Sequence, residues 1–145
     1  MEQYEKDVIN ARENKLDQRF ANSIIEHARI LTKEIIFDAN KKVSILSDSF
    51  NEFFYSKLEE NIENFLKKDN ENIFELIVSN QQKENKLIQR FQKDFPTQFQ
   101  VKFISEDKFP TDNDTKERVN YIVNDNNAFR YEYSDKNIQH GVVNA

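Results

Sequence analysis

The sequence Ile73-Phe74-Glu75-Leu76-Ile77-Val78 lies near the middle of this 145-residue chain and is almost continuously apolar. Such a run is typical of a β-strand that is covered on both faces. We therefore predict a central strand here, with helices supplied by the flanking segments.

A helix is predicted directly before this strand. Ser49 and Glu52 match the S-x-x-E capping box, in which two side chains satisfy backbone amides at a helix start. Lys67 and Lys68 fall in the last turn, where cations suit the negative end of the helix dipole. The apolar residues of its buried side recur every three or four positions: Phe50, Phe54, Leu58, Ile62 and Phe65.

Another helix and strand are predicted after the central strand. Ser79 or Asn80 can cap the helix, and Pro96 closes it. Its inward residues are Leu87, Ile88 and Phe91. Phe99, Val101 and Phe103 then alternate with Gln100 and Lys102, as in a half-buried strand.

The first helix of the domain is predicted from Leu16. Its apolar stripe consists of Leu16, Phe20, Ile24, Ala28, Leu31 and Ile35. Residues 34–37 could continue this helix or begin a strand, and we favour the strand because β-branched residues are frequent there. A turn at residues 38–42 then leads into a strand at Val43–Leu46.

An antiparallel hairpin is predicted near the carboxyl end, after a polar loop at residues 105–116. Alternating apolar residues flank a turn at residues 125–127, whose Asp and Asn tolerate positive φ. The alternating residues are Val119, Tyr121 and Val123 on one strand and Phe129, Tyr131 and Tyr133 on the other.

This order of elements predicts an α/β fold. Its sheet is small and mixed, with parallel strands from βαβ units, a C-terminal antiparallel hairpin and helices packed on it. The length suits one domain, which we place at residues 16–134. A helical or flexible lead-in is expected at residues 1–15 and an unpatterned tail at residues 135–145.

The composition disfavours several classes of protein. The chain has no Cys and one Gly, so it lacks disulfides, thiolate sites and Gly-rich phosphate loops. Its net charge of −5 disfavours a nucleic-acid-binding protein with a broad basic face. No apolar run is long enough to cross a membrane and no signal segment is evident, so we expect a cytoplasmic protein.

Few residues are candidates for chemistry. His27 is interpreted as a partly exposed helix position and His140 as a flexible surface residue, and two distant histidines do not form a zinc site. The polar loop at residues 105–116 is rich in acidic residues, but it lacks the Gly that calcium-binding loops need. No metal or cofactor is expected. Asp48 follows a strand and precedes a helix, where α/β sheets place ligands, although helix capping is the favoured reading.

Three segments, together with the element order, resemble one half of a phospholipase D-like fold. They are residues 34–38, residues 74–78 and residues 121–129, within a similarity that spans Arg19 to Tyr133. The chain looks most like small uncharacterised bacterial proteins that keep this fold without its active site.

Active members of that superfamily carry the motif H-x-K-x4-D, in which the His attacks phosphorus. If Asp125 matches the motif's Asp, Arg118 stands at the His position and Asn120 at the Lys position. Arg binds phosphate through its fork of donors but cannot form the covalent intermediate. The resemblance therefore implies a fold retained for binding.

Our first hypothesis is a non-catalytic domain that binds a protein partner or a second copy of itself, through its sheet edge or an uncovered face. The second is a divergent phosphodiesterase or nuclease whose site is assembled between subunits from Arg118, Asp125 and Asp48. The third is non-catalytic nucleic-acid binding, which is possible but not favoured. No membrane partner is expected.

Overall fold

A single mixed β-sheet organises the molecule, which is described by a computed structural model over residues 3–16, 18–21, 25–114, 116–133 and 140–143. In chain order the elements are α1 (Gln3–Glu13), β1 (Gln18–Ala21), α2 (Ile25–Asp38), β2 (Lys42–Ser47), α3 (Glu52–Ser56), α4 (Glu59–Lys68), β3 (Ile73–Ser79), α5 (Lys86–Asp94), β4 (Phe99–Ile104), β5 (Val119–Asn124), β6 (Phe129–Tyr133) and β7 (His140–Val143). Short 3-10 helices occupy Asn80–Gln82 and Glu106–Lys108.

The seven strands are ordered β1-β7-β6-β5-β2-β3-β4. β2, β3 and β4 are parallel, and the other pairs are antiparallel. Helices α3 and α4 connect β2 to β3, and α5 connects β3 to β4. The predicted α/β fold with a mixed sheet is therefore confirmed, as is the antiparallel hairpin of β5 and β6.

One face of the sheet forms the core with the helices. Phe74 and Leu76 of β3 are fully buried there and join one hydrophobic cluster with residues of all five α-helices. Alternate residues of β3, Glu75 and Ile77, are only half-buried. The prediction that β3 is covered on both faces is therefore wrong: in the part of the chain that the structure describes, the buried residues of the α-helices join the cluster on the Phe74 and Leu76 side.

That second side carries uncharged side chains from four strands. The strand register aligns Leu46 with both Ile77 and Tyr121, and Tyr121 with Tyr131, while Val123 aligns with Phe129. Directly opposed residues in a sheet point to the same face. We call the surface formed by Ile77, Tyr121, Val123, Phe129 and Tyr131 the open face.

The helix predicted from Leu16 is wrong in its first half. Lys15 adopts a positive φ of 53° beyond the end of α1, and residues 18–21 form β1, which pairs with β7. This pairing with a strand more than 100 residues away overrides the local periodicity. Of the predicted stripe, Ile24 lies outside the described residues.

The strand favoured at residues 34–37 is also wrong, because α2 continues to Asp38. Ile35 and Ile36 are buried while Phe37 is exposed, a pattern that one side of a helix produces. Packing of this helical side on the sheet outweighs the local preference of β-branched residues for extended backbone.

The helix predicted at residues 50–68 is divided into α3 and α4. Ser49 and Glu52 do not form a capping box. Instead, the Asn51 side chain accepts a hydrogen bond from the Phe54 amide and caps α3. Phe50 is fully buried as expected, but it precedes the helix with a φ of 44°, whereas Phe54 is only half-buried.

The cap of the third helix is also displaced. Ser79 caps the 3-10 helix by accepting from the Gln81 amide, and Asn85 caps α5 by accepting from the amides of Leu87 and Ile88. The buried side of α5 consists of Leu87, Ile88 and Phe91, as predicted.

Both chain ends contain more structure than the predicted boundaries imply. The lead-in predicted at residues 1–15 contains α1, and the Val8 and Ala11 side chains of this helix are fully buried in the main core. α1 is therefore part of the domain that we placed at residues 16–134. The tail at residues 135–145 contains β7, which pairs with β1 and β6, and its other residues lie outside the described ranges.

A candidate functional site at the carboxyl ends of strands β2 and β3

Asp48 lies where the chain leaves β2 and turns toward α3. The Ser47 hydroxyl oxygen accepts a hydrogen bond from the Phe50 amide at 2.8 Å, which closes this turn. The Asp48 carbonyl oxygen accepts a bond from the Ser79 amide at 3.3 Å, so the turn is joined to the end of β3. Asp48 does not cap α3, since Asn51 does, and its carboxylate is available for other contacts.

Arg118 is the partner of that carboxylate. Its Nη1 donates to Asp48 Oδ1 at 2.5 Å, although the two residues are 70 positions apart in the sequence. Nη2 forms an ion pair with Glu106, the first residue of the 3-10 helix after β4. The three side chains are 30–38% exposed, so the cluster lies at the surface and is accessible to solvent.

Two further side chains complete the cluster. The buried Ser79 hydroxyl at the end of β3 donates to Glu106. The Arg118 guanidinium lies over the ring of Phe109, 5.5 Å from its centroid, and this ring is buried. The loop between β4 and β5 is therefore attached to the ends of β2 and β3 by charge and by ring contact.

The hydrogen bonds fix the charge states of this cluster. The Ser79 hydroxyl, and next the Arg118 guanidinium, lower the pKa of Glu106. The bond with Glu106 is also the main reason that the pKa of Arg118 is raised. Both groups are therefore charged at neutral pH, and the Asp48–Arg118–Glu106 cluster carries one positive and two negative side chains.

Asn120 belongs to the same site by its position. Its Oδ1 accepts a hydrogen bond from the Asp48 amide at 2.8 Å. Asn120 therefore orients the turn that presents the Asp48 carboxylate, while its neighbour Arg118 neutralises that carboxylate. The structure brings together three of the four residues selected from the sequence: Asp48, Arg118 and Asn120.

Asp125 lies elsewhere. It follows the opposite end of β5, and a six-residue strand spans roughly 20 Å. Its two carboxylate oxygens accept hydrogen bonds from the amides of Asn40 and Lys41, each at 2.8 Å. Asp125 therefore holds the connection between α2 and β2 and does not share a site with Arg118 in one chain.

The histidines are not part of the cluster. His27 in α2 is half-buried, and its ring stacks on that of Tyr4 with 3.7 Å between the centroids. His140 lies in β7 opposite Ala21 and Tyr131, so its backbone is part of the sheet. In the described ranges, no three His, Asp or Glu side chains converge as metal ligands would.

Among the described residues, the cluster presents no hydroxyl group placed to act as a nucleophile. Ser79 is the one hydroxyl group described in it, and this side chain is buried, bonded to Glu106 and engaged in capping the 3-10 helix. A serine nucleophile needs a nearby base and access to substrate. Arg118 in turn has Nη1 and Nη2 engaged by two carboxylates.

Glu106 and Phe109 were not singled out from the sequence. In the sequence, Glu106 is one of several acidic residues of the polar loop, and no local pattern indicates which of them forms an ion pair with an arginine. Phe109 lies two positions after Asp107 and just before Pro110, in a segment without periodicity. An isolated large apolar residue in a polar loop was the one available signal that this loop packs against the domain.

No family model matches the sequence, and no curated protein matches it. Among solved structures, the chain is similar to TrmBL2, an archaeal chromatin protein whose structure is described as showing a novel mode of DNA binding. The TM-score is 0.59 with 13% sequence identity, and the similarity covers 97% of this chain. This chain spans 51% of that protein's length, and the similarity concerns the fold alone.

Among the described helices, none combines the length and the apolar character that a membrane span requires.

Proposed function

We propose that this chain is a non-catalytic α/β domain of the cytoplasm that binds a second copy of itself through the open face. The observation that carries this proposal is the set of uncharged side chains on that face. Phe129 is 39% exposed, and Ile77, Tyr121, Val123 and Tyr131 are half-buried. Aromatic residues are enriched, and charged residues depleted, at the centre of protein interfaces.

A two-fold symmetric dimer favours a surface of this kind. In such a dimer the same patch meets itself, so a charge near the axis would meet a like charge. The five residues that define the open face are uncharged, and charged residues adjoin it. Lys102 aligns with Ile77, Glu75 forms an ion pair with Lys42 at 3.5 Å, and Arg19 of β1 shares a register row with Phe129 through Val142. The Tyr131 hydroxyl donates a hydrogen bond to the Asp112 carboxylate at 3.3 Å.

The Asp48–Arg118–Glu106 cluster supports the non-catalytic part of the proposal. Its guanidinium is held by two carboxylates, and its hydroxyl is buried. A phospholipase D-like ancestry without the catalytic His and Lys remains our interpretation of Arg118 and Asn120. It agrees with a fold retained for association.

Light scattering of the purified chain over a range of concentrations tests self-association. We expect the mean mass to rise toward twice 17.4 kDa with concentration. Phe129→Glu places a charge on the open face and should return the protein to a monomer. Phe53→Glu is the matched control, since Phe53 is 67% exposed on α3, away from the open face. A monomer at every concentration, or equal effects of both substitutions, would refute the proposal.

Nucleic-acid binding is the second candidate function. Similarity of fold to a DNA-binding chromatin protein favours it, while a net charge of −5 opposes it. Electrophoretic mobility shifts with double- and single-stranded DNA at about 50 and 200 mM salt distinguish the two cases. A shift that weakens steeply with salt supports this candidate, and no shift at the lower salt concentration excludes it.

A further inference from the structure

A groove of about 150 Å³ lies between α2 and α4, near the carboxyl ends of both helices. Its floor is apolar and consists of Ile36, Ala39 and Phe65, all buried. The ring of Phe37 also lines it and is 66% exposed, and the Arg12 guanidinium lies over this ring, 4.4 Å from its centroid. A volume of this size accommodates one six-membered ring.

The remaining side chains that line the groove are polar. Asn61, Asn64 and Lys68 line the groove from α4. Within the described ranges, none of the three side chains forms a hydrogen bond or ion pair with the chain. The neighbouring Lys67 differs, because its ammonium group pairs with Glu63 at 2.7 Å. The groove thus combines an apolar floor with one unpaired cation and two carboxamides.

We propose that this groove binds a small carboxylate whose body is a single ring or a short apolar chain. The apolar body would leave water for the floor of the groove. The ammonium group of Lys68 would donate a charge-assisted hydrogen bond to the carboxylate, and the amide nitrogens of Asn61 and Asn64 can donate further bonds. A neutral ring would contact the apolar floor but would offer the Lys68 ammonium group no charged acceptor.

Two acidic residues that adjoin the groove at the ends of α2 and α4 are engaged elsewhere. Asp69, directly after Lys68, pairs with Lys41 at 2.6 Å. Asp38, at the end of α2, has both carboxylate oxygens engaged by Asn124 and Asn126, which donate to Oδ2 and Oδ1 at 3.2 Å each. The groove also lies among the helices, on the opposite side of the sheet from the open face. Its occupation is therefore independent of the self-association proposed above.

The experiment is a titration of the full chain with sodium benzoate, followed by amide chemical shifts in ¹H–¹⁵N NMR spectra. Benzoate should shift amides of residues 36–39 and 61–68 saturably, with a dissociation constant on the order of 1 mM. Lys68→Gln should weaken binding about tenfold, as loss of a charge-assisted bond does. Lys67→Gln, the adjacent lysine in its ion pair, should leave the affinity unchanged.

Benzyl alcohol has the same ring without the charge, and we expect it to bind at least about fivefold more weakly than benzoate. Ala39→Leu should fill the groove and abolish binding of both compounds. Because Ala39 is buried and this variant could lose stability, the exposed Lys68→Gln remains the decisive variant. Equal affinity for benzoate and benzyl alcohol, no effect of Lys68→Gln, or shifts outside the groove would each overturn the proposal.

Discussion

Asn124 in β5 donates a hydrogen bond from Nδ2 to the carbonyl oxygen of Ile35 in α2, at 2.8 Å. The same side chain accepts bonds through Oδ1 from the amides of Asn126 and Ala128, at 2.9 and 3.0 Å. One buried carboxamide thus closes the turn between β5 and β6 and fixes the last turn of α2 to the sheet.

Replacing this carboxamide should be costly. Asn124→Ala would leave two amides and one carbonyl group without these partners in a buried place, and we expect the free energy of unfolding to fall by about 2–4 kcal/mol. Urea denaturation measures this change. Asn126→Ala is the comparison, because Asn126 is half-buried and donates from its side chain only to Asp38; a loss as large as that of Asn124→Ala would contradict the assignment.

Asp125 should affect stability and not chemistry. Asp125→Ala removes the acceptors of the Asn40 and Lys41 amides, and we expect a loss of about 1 kcal/mol in the free energy of unfolding. Asp125→Asn keeps one acceptor and should lose less. The wild-type protein and both variants should fail to hydrolyse a chromogenic phosphodiester. Wild-type turnover that Asp125→Ala abolishes would restore the enzyme hypothesis.

The sequence predicted the parallel half of the sheet because its elements are local. β3 and β4 and the buried residues of α5 follow from periodicity within about ten positions, as does the β5–β6 hairpin. β1 could not be predicted in this way, since Gln18–Ala21 becomes a strand by pairing with β7 more than 100 residues later. In β7 itself, Gly141 weakens any local strand signal.

The candidate site was predictable in part for the same reason. Asp48 was found because the carboxyl ends of parallel strands are common binding positions, and Arg118 because of a motif alignment. Their ion pair was not predicted from the sequence. Pairing of β5 beside β2, which places Asn120 and Arg118 next to Asp48, depends on the tertiary fold.

Burial separates two aromatic residues that the sequence pattern treats alike. Phe74 is fully buried and stacks on Phe99 with 5.5 Å between ring centroids, so Phe74→Ala should cost about 3–5 kcal/mol. Phe54 is half-buried, so Phe54→Ala should cost clearly less, about 1–2 kcal/mol, because truncation there leaves a smaller cavity. Chemical denaturation of both variants gives the comparison, and equal losses would show that α3 packs more deeply than described.

Glu106 should contribute to the acid sensitivity of the fold. Its pKa is lowered in the folded state by Ser79 and Arg118, so its contribution to stability is fully present above the unfolded pKa of about 4.5. This contribution is lost as the pH falls through the lower folded pKa. We expect Glu106→Gln to flatten the decline in stability below about pH 5. The exposed Glu60→Gln on α4 is the control, and a wild-type slope in Glu106→Gln would argue against the ion pair.

Asp38 should affect the pH dependence of stability in the opposite direction to Glu106. Burial raises its pKa, despite hydrogen bonds from Asn124 and Asn126 that lower it, so the folded protein binds this proton more tightly than the unfolded chain does. Stability from this group is greatest below the unfolded pKa of about 3.8 and is lost as the pH rises through the folded value. Asp38→Asn removes this gain on acidification. Its unfolding free energy, measured from pH 7 to pH 3, should therefore decline more steeply than that of the wild type, whereas a shallower decline would mean that the pKa of Asp38 is lowered by folding.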